Sequence, residues 1–149
     1  MVPFGKDLKA FLIIYAASVK LNGLIWCDIS IISGDFIVDM TSLTVEDLSG
    51  RGKNSLEGHL KSDDFFSVIK HNYAFLKILN GNDPINGVQT LNGDLTIKGI
   101  SHPVTFTMEL NEKKAKSNLV FDRTKYDVKF RSGNFFQNLG DKLIYDEIK

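Results

Sequence analysis

The chain has 149 residues, which is enough for one domain with a substantial buried core. Lysine plus arginine and aspartate plus glutamate number 18 each, so the formal net charge is +0. This balance argues against a nucleic-acid-binding protein, because such proteins normally carry a basic excess. Cys27 is the single cysteine, so an internal disulfide is excluded, and we expect a small buried side chain rather than a nucleophile.

The first apolar stretch, Ala10–Ala17, allows two interpretations. Its eight residues are far fewer than the ~20 that a transmembrane helix needs. Lys6 and Lys9 precede it and small residues end it, which is the outline of a short, cleaved secretory signal covering Ala10–Ser18. Alternatively, Phe11–Tyr15 forms a first strand, since it is rich in residues that favour strands. Both interpretations stay open.

Two strands are predicted next, at Ser18–Cys27 and Ile29–Met40, followed by a polar, glycine-containing loop at Thr41–Asn54. A short helix is predicted to begin with Ser62 as its cap and to run through Lys70, because two aspartates in its first turn favour the helix dipole. We expect its buried side to consist of Phe65, Phe66 and Ile69.

The second half of the chain is predicted to contain strands and turns. Tyr73–Leu79 is a predicted strand, and Asn80–Asn86 is a strong turn signal. From Leu91 to Leu110 the residues alternate apolar and polar on two arms joined by Gly99–Pro103, which indicates a β-hairpin. Two further strand candidates are Asn118–Phe121 and Tyr126–Phe130. Short strands at hairpin spacing with one short helix predict an all-β, antiparallel barrel or sandwich.

No pattern of catalytic residues is evident in the sequence. A metal site could in principle be formed by His59, Asp63, Asp64 and His71. Their spacing matches no known metal-binding motif, and the two aspartates are already explained by their place at a predicted helix start. Asp122, Arg123 and Asp127 are expected to form a solvated or salt-bridged edge. We therefore expect no metal, no cofactor and no enzymatic activity.

Four blocks of sequence resemble the YceI-like polyisoprenoid-binding family. They read G-D-F-I-V-D-M-T-S-L at Gly34–Leu43, G-H-L-K-S-D-D-F-F at Gly58–Phe66, G-D-L-T-I-K-G-I-S-H-P-V at Gly93–Val104 and F-D-R-T-K-Y-D-V-K-F at Phe121–Phe130. The resemblance implies a lipocalin-like antiparallel β-barrel spanning one domain over residues 1–149, with a polyisoprenoid or quinone-like lipid inside it and no catalytic residues. It also implies a bacterial protein in a periplasmic or secreted setting.

Alternation along the strands predicts which side chains face the barrel interior. A barrel of about eight strands is just wide enough for one slender ligand, and burial of each methylene contributes about 0.8 kcal/mol. The same inward residues would equally well form a filled core without a ligand. The predicted lining residues are Phe36, Val38, Met40, Ala74, Leu76, Ile78, Leu95, Ile97, Val104, Phe106 and Met108.

The chain departs from the family at both ends. The first strand of the family has a W-x-G-x-K-like pattern that is missing here, and its last strand continues further than Lys149. The barrel is therefore expected to be incompletely closed, with three outcomes: Phe11–Tyr15 replaces the first strand, exposed edges pair in a homodimer, or the protein is a degraded copy that binds poorly. If Ala10–Ser18 is a strand rather than a signal, the expected location is the cytoplasm.

Three functions remain open from the sequence. The first is a carrier or store for an isoprenoid or similar apolar lipid. The second is an enzyme acting on a hydrophobic substrate, which would need clustered titratable residues that the spacing does not provide. The third is a barrel without a ligand that serves as a structural or interaction module.

Overall fold

The computed structural model describes residues 26–27, 30–45, 48–111, 114–137, 139 and 143–148. The strands are β1 (Trp26–Cys27), β2 (Ser30–Ile31), β3 (Gly34–Asp39), β4 (Tyr73–Gly81), β5 (Val88–Ile97), β6 (Ile100–Asn111), β7 (Lys114–Asn118), β8 (Phe121–Asp122) and β9 (Glu147–Ile148). One α-helix, α1 (Gly50–Lys61), and two 3₁₀ turns, Met40–Ser42 and Arg123–Tyr126, complete the described elements.

The main sheet is a five-stranded antiparallel meander in the order β3-β4-β5-β6-β7, and it curls strongly into a half-barrel. Two small ladders, β1 with β2 and β8 with β9, lie outside it. The predicted all-β, antiparallel, lipocalin-like fold with one helix is confirmed. Among the described strands, β3 pairs only with β4 and β7 only with β6, so both edges of the half-barrel lack a described neighbour, which is consistent with the expected incomplete closure.

The β5–β6 hairpin is tighter than the sequence predicts. Ile97 pairs directly with Ile100, and the turn consists of Lys98 and Gly99, both with positive φ, at 53° and 75°. Positive φ at both central residues defines the two-residue turn that matches strand twist, so the predicted Gly99–Pro103 connection is wrong. Pro103 lies within β6 opposite Asp94, in the part of β6 that has no β7 partner, where its missing N–H removes no ladder hydrogen bond.

The helix lies earlier in the chain than predicted. Residues 50–61 form α1, which starts inside the predicted Thr41–Asn54 loop and continues past its end. Ser62, the predicted first residue of the helix, instead ends it, because its N–H and hydroxyl both donate to the carbonyl of His59. Residues 63–70 are turns. Phe65 and Phe66 are buried as expected, but Ile69 is 95% exposed, so its predicted burial is wrong.

Packing, not intrinsic propensity, explains why α1 is a helix. Its sequence has three glycines, each of which disfavours a helix by about 1 kcal/mol. Leu56 and Leu60, four residues apart on one face, are buried in the core. Glu57 accepts hydrogen bonds from the hydroxyl of Thr44 and the N–H of Val45, which fastens the preceding loop to the helix and holds the pKa of the Glu57 carboxyl below its usual value.

Other predicted strands differ in extent from those observed. The Ile29–Met40 strand is interrupted at residues 32–33 and ends at Asp39, whose carboxylate accepts from the N–H of Thr41 and caps a 3₁₀ turn. The Tyr73–Leu79 strand is confirmed and extends to Gly81, so the predicted turn at Asn80–Asn86 begins later, after Gly81.

Two predicted strands near the C-terminus are corrected. The Asn118–Phe121 candidate joins the end of β7 to the start of β8. The Tyr126–Phe130 candidate is a turn instead, because the left-handed Asp127 (φ 59°) ends the 3₁₀ turn and the Val128 N–H bonds back to the carbonyl of Arg123. Within Ser18–Cys27 only β1 is described, and Phe11–Tyr15 and Ala10–Ser18 lie outside the described residues.

Candidate functional site

The concave face of the half-barrel collects the apolar side chains of its strands. Directly paired residues share a face, so the register brings Phe36, Leu76 and Leu95 into one row across β3, β4 and β5. A second row contains Ile78, Gly93 and Val104 on β4, β5 and β6. The opposite, convex face presents mostly polar residues, such as the hydrogen-bonded Asn92 and Thr105. The period-two alternation therefore identifies the concave side correctly.

Two buried clusters occupy this concave face. The first, which we call the helix-end cluster, joins the α1 region to one end of the sheet and consists of Met40, Leu43, Val45, Leu56, Leu60, Phe65, Phe66, Val68, Ala74, Leu95, Ile97, Tyr126 and Val128. The second, which we call the sheet cluster, consists of Ile31, Ile78, Leu91, Phe106, Met108 and Leu110. Each of these residues is less than 9% exposed.

A half-buried band of apolar side chains contacts the two clusters. Leu76, Val104 and Leu119 pack against both clusters, and Phe36 packs against the sheet cluster. We call these four residues the seam. Each is only partly buried. Apolar side chains line most ligand pockets in proteins, so the seam is the part of the concave face to consider for a ligand.

The predicted lining residues separate into two groups. Phe36, Leu76 and Val104 are half-buried in the seam, and Val38 is half-buried beside the helix-end cluster. The other seven are buried within the clusters: Met40, Ala74, Leu95 and Ile97 at the helix end, and Ile78, Phe106 and Met108 in the sheet cluster. Met40 lies in a 3₁₀ turn after β3 rather than on the strand itself. Contact of these eleven residues with a ligand stays a prediction.

Gly93 allows two strands to approach closely on the concave face. The β4–β5 register shifts between Ile78 and Asn80, which marks an irregularity in β4. At Gly93 an added Cβ would overlap the backbone carbonyl oxygen of Lys77, so no larger residue fits without a backbone shift. The glycine of the G-D-L-T block therefore has a packing role beneath the seam.

Aromatic and polar groups meet at the helix end. Tyr126 is 1% exposed, and its ring is perpendicular to those of His102 and Phe121, at centroid distances of 5.3 and 5.6 Å. Burial, reinforced by the negative charge of Asp122, raises the pKa of Tyr126 to about 12. His102 contacts the carbonyl of Lys125 through Nε2 at 2.9 Å. The phenol of Tyr126 is therefore protonated at neutral pH, as an ordinary tyrosine is, and the ring serves as packing for the helix end.

His59 is enclosed by aromatic rings near the C-terminal end of α1. Its ring centroid lies 4.4 Å from that of Phe130 and 5.9 Å from that of Phe65. The Nε2 atom is buried and has no hydrogen-bond partner. Burial lowers the pKa of His59, an effect that Asp64 opposes and Arg131 reinforces. The side chain is therefore a packed, neutral histidine rather than an exposed ligand for a metal.

Arg123 is the residue that sequence reasoning missed. It was expected at a solvated or salt-bridged edge; it does pair with Asp146, but its side chain is 0% exposed, so its predicted place at an edge is wrong. Its guanidinium donates to the carbonyls of Val128, Ile144 and Tyr145 at 2.7–3.0 Å and to the Asp146 carboxylate at 3.1 Å. Burial lowers the pKa of Arg123, and Asp146 opposes that effect. The arginine fastens residues 144–146 to the rest of the fold.

Among the residues that the structure describes, groups suited to metal binding do not converge on the seam. Within the described ranges, no set of three histidine, cysteine, aspartate or glutamate side chains lies close enough to hold a metal ion. The carboxylates with lowered pKa are Asp39, Glu57, Asp63 and Asp127, and each accepts hydrogen bonds from nearby residues away from the seam. Nor does any helix in the described part of the chain have both the length and the apolar character to cross a membrane.

Comparison with known proteins places this geometry in a family. The model of the YceI-like domain matches residues 17–149. The chain belongs to the YceI-like family. The resemblance seen in the four sequence blocks is thereby confirmed. A search of curated proteins by sequence finds no significant match.

Solved structures share the fold of this YceI-like chain. The YceI protein of Campylobacter jejuni matches with a TM-score of 0.64 and 18% identity, over 88% of this chain and 77% of that one. The BcnA protein of Burkholderia cenocepacia matches with a TM-score of 0.65 and 16% identity, over 87% of this chain and 77% of that one. At these identities the likeness establishes the architecture, and residue roles must come from the geometry of this chain.

Proposed function

We propose that this protein binds an isoprenoid or similar apolar lipid on the concave face of its half-barrel and carries or stores it without catalysis. The observation that supports this most directly is the seam. Leu76 and Val104 are apolar and central in the sheet, yet they stay half-buried where they pack against two filled clusters. A guest chain that covered them would remove apolar area from water, and each buried methylene would add about 0.8 kcal/mol. Membership of the YceI-like family supports the same class of ligand.

The first experiment is native mass spectrometry of the purified protein, with solvent extraction of any bound species. We expect an adduct of prenyl-lipid or quinone-lipid mass at about one per chain, or uptake of such a lipid when it is added. An empty, folded protein that takes up neither a prenyl alcohol nor a quinone contradicts the proposal.

A pair of substitutions on β6 then locates the site. Val104→Trp fills the seam from the concave face and is expected to lower lipid retention at least about tenfold. Thr107→Trp adds the same side chain on the exposed convex face and is expected to leave retention unchanged. Equal retention in the two variants, with both folded, would exclude the concave face as the site. Ile97 is less suited to this test because it is 5% exposed within the helix-end cluster, where tryptophan would disrupt packing.

A barrel without a ligand is the second candidate, and one observation favours it. Seven of the eleven predicted lining residues are already buried in the two clusters, as a filled core requires. Under this alternative the seam would be covered by protein, and the mass spectrum would show no adduct under any loading condition. The same measurement therefore separates the two candidates.

We also propose a periplasmic or secreted setting, on the family resemblance and the signal-like outline of Ala10–Ser18. Cell fractionation of a protein with a C-terminal tag tests this, and the mass of the recovered chain shows whether the N-terminus is cleaved. Recovery of an uncleaved chain in the cytoplasm would favour Phe11–Tyr15 as a strand. A homodimer through the open sheet edges is tested by analytical ultracentrifugation with and without lipid.

A further inference from the structure

We infer that one end of the molecule, beside the β5–β6 turn, docks on the surface of an anionic lipid bilayer. Three large apolar side chains are exposed at this end: Ile69 is 95% exposed, Phe135 53% and Phe136 49%. We call these three residues the apolar tips. Apolar side chains exposed as a group mark a site of interaction with another molecule, whereas single ones need no explanation. This surface lies outside the seam, so the inference goes beyond the proposed function and is tested separately from it.

Contacts with the β5–β6 turn bring the apolar tips to one end of the main sheet. The turn consists of Lys98 and Gly99. The ring of His71, two residues after Ile69, lies 3.8 Å from the position that a Cβ on Gly99 would occupy. The segment that carries Ile69 therefore packs beside this turn.

A series of polar contacts joins the same turn to the two phenylalanines. Lys98 Nζ donates to the carbonyl of Asp127 at 3.0 Å, and the carboxylate of Asp127 lies 2.8 Å from Lys129 Nζ. That nitrogen lies 5.2 Å from the centre of the Phe135 ring, within the range of a cation–π contact. Phe136 is the next residue, so all three apolar tips surround one patch of charged surface.

Ordered turns hold the apolar tips in their exposed positions. The N–H groups of the two residues after Ile69 both donate to the carbonyl of Ser67. The N–H groups of both phenylalanines donate to the carbonyl of Ser132, whose hydroxyl donates to Asp146. Their exposure is therefore part of the fold, and binding through them requires little ordering of the chain.

Positive charge exceeds negative charge around the apolar tips, although the whole chain is balanced at 18 of each sign. Segments 63–71, 98–99 and 125–136 contain the cations Lys70, Lys98, Lys125, Lys129 and Arg131 and the carboxylates Asp63, Asp64 and Asp127. Two of the lysines are in exposed ion pairs, Lys70 with Asp63 and Lys129 with Asp127. Such pairs are weak, so lipid phosphates can replace the carboxylates at little cost.

This combination of side chains matches the chemistry of a bilayer interface. Isoleucine and phenylalanine can reach the acyl chains, while lysines beside them remain among the phosphates and are attracted by anionic lipid. Side chains that project from turns fit a soft, flat surface rather than a groove in a folded partner.

Co-sedimentation with lipid vesicles tests the inference on the full chain. We expect the unmodified protein to bind vesicles that contain about one third phosphatidylglycerol, and to bind phosphatidylcholine vesicles at least about tenfold more weakly. Binding to the anionic vesicles is expected to weaken as salt is added. Ile69→Ser is expected to weaken it about tenfold, because an isoleucine side chain no longer leaves water. Lys98→Gln, which removes one charge, is expected to weaken it about fivefold.

Matched controls are available at the opposite end of the sheet. Ile85, in the connection between β4 and β5, is 68% exposed, but its neighbours Asp83 and Asn86 provide no positive charge. Lys116 is exposed on β7 opposite Glu109, far along β6 from the β5–β6 turn. Ile85→Ser and Lys116→Gln are expected to leave vesicle binding unchanged.

The folded state and the ligand site provide two further readouts. Ile69→Ser is expected to keep the urea midpoint of the unmodified protein, because the side chain has almost no contact to lose. It is also expected to retain a prenyl lipid in native mass spectrometry, so failure of docking and failure of lipid binding are distinguishable.

Three results would overturn the inference. The first is that the unmodified protein does not sediment with anionic vesicles at low salt. The second is that Ile69→Ser and Ile85→Ser weaken binding equally. The third is a dimer in analytical ultracentrifugation that Ile69→Ser abolishes, since a second copy of the chain would then cover the apolar tips.

Discussion

Replacing Arg123 by methionine is expected to destabilise the fold and to release its C-terminal segment. Methionine fills much of the same apolar volume, but it provides no donors. The carbonyls of Val128, Ile144 and Tyr145 would then lose the hydrogen bonds they receive from the guanidinium. Each buried acceptor left without a donor costs about 1–3 kcal/mol, and removal of one partner of a buried ion pair costs about 3–5 kcal/mol in total.

We therefore expect Arg123→Met to lower the free energy of unfolding by about 4 kcal/mol, which is a large part of the 5–15 kcal/mol typical of a domain. Urea denaturation measures the loss. Digestion with a carboxypeptidase measures the second consequence, because residues 144–146 lose the three bonds that they receive from the guanidinium and keep the backbone bonds of Ile144 to Arg131 and of Arg123 to Asp146. We expect cleavage to proceed past Asp146 in the variant under conditions in which it stops earlier in the unmodified protein.

The control is Arg51→Met, an identical change at an exposed arginine of α1. A surface substitution of this kind changes the free energy of unfolding by no more than about 0.5 kcal/mol. A loss at Arg123 that is no larger than this, with an equally protected C-terminus, would refute the role assigned to the buried network. Asp146→Asn keeps hydrogen-bonding atoms but removes the negative charge, so an intermediate loss of about 1–2 kcal/mol is expected.

Three further predictions concern other parts of the fold. Gly93→Ala is expected to lower the free energy of unfolding, measured by urea denaturation, by about 3 kcal/mol, because the new Cβ meets the Lys77 backbone. A decrease of less than about 1 kcal/mol would contradict the close approach of the two strands. Gly58→Ala is expected to raise the free energy of unfolding by about 1 kcal/mol, since nothing lies within 4 Å of the new methyl group and alanine has a higher helix propensity than glycine. A less stable variant would contradict this open environment. His59 has a folded pKa below its ordinary value of 6.5, so the unfolded chain binds more protons and stability should fall as pH drops below about 6.5. His59→Leu should weaken that decline between pH 7 and pH 5, and an unchanged slope in denaturation midpoints would exclude His59 as its source.

Local pattern was sufficient to predict the strands that form the concave face. The arms of the β5–β6 hairpin alternate over many residues, and the observed register places Leu95, Ile97 and Val104 on the predicted side. Period-two alternation succeeds here because each residue's face depends only on its position along an extended chain. The same reasoning could not separate seam residues from cluster residues, because burial depends on which other segment packs against each strand.

The sequence by itself determined the family, the antiparallel class and the inward face of the main strands, since these depend on local periodicity and on the four sequence blocks. Only the tertiary structure decided where the helix lies and that Arg123 is buried. The glycine-rich α1 is stabilised by packing of Leu56 and Leu60 and by bonds to Glu57 from residues more than ten positions earlier. The acceptors of Arg123 at residues 144–146 lie 21–23 positions away in the chain. Interactions between such distant residues leave no periodic signal, because folding alone brings the partners together.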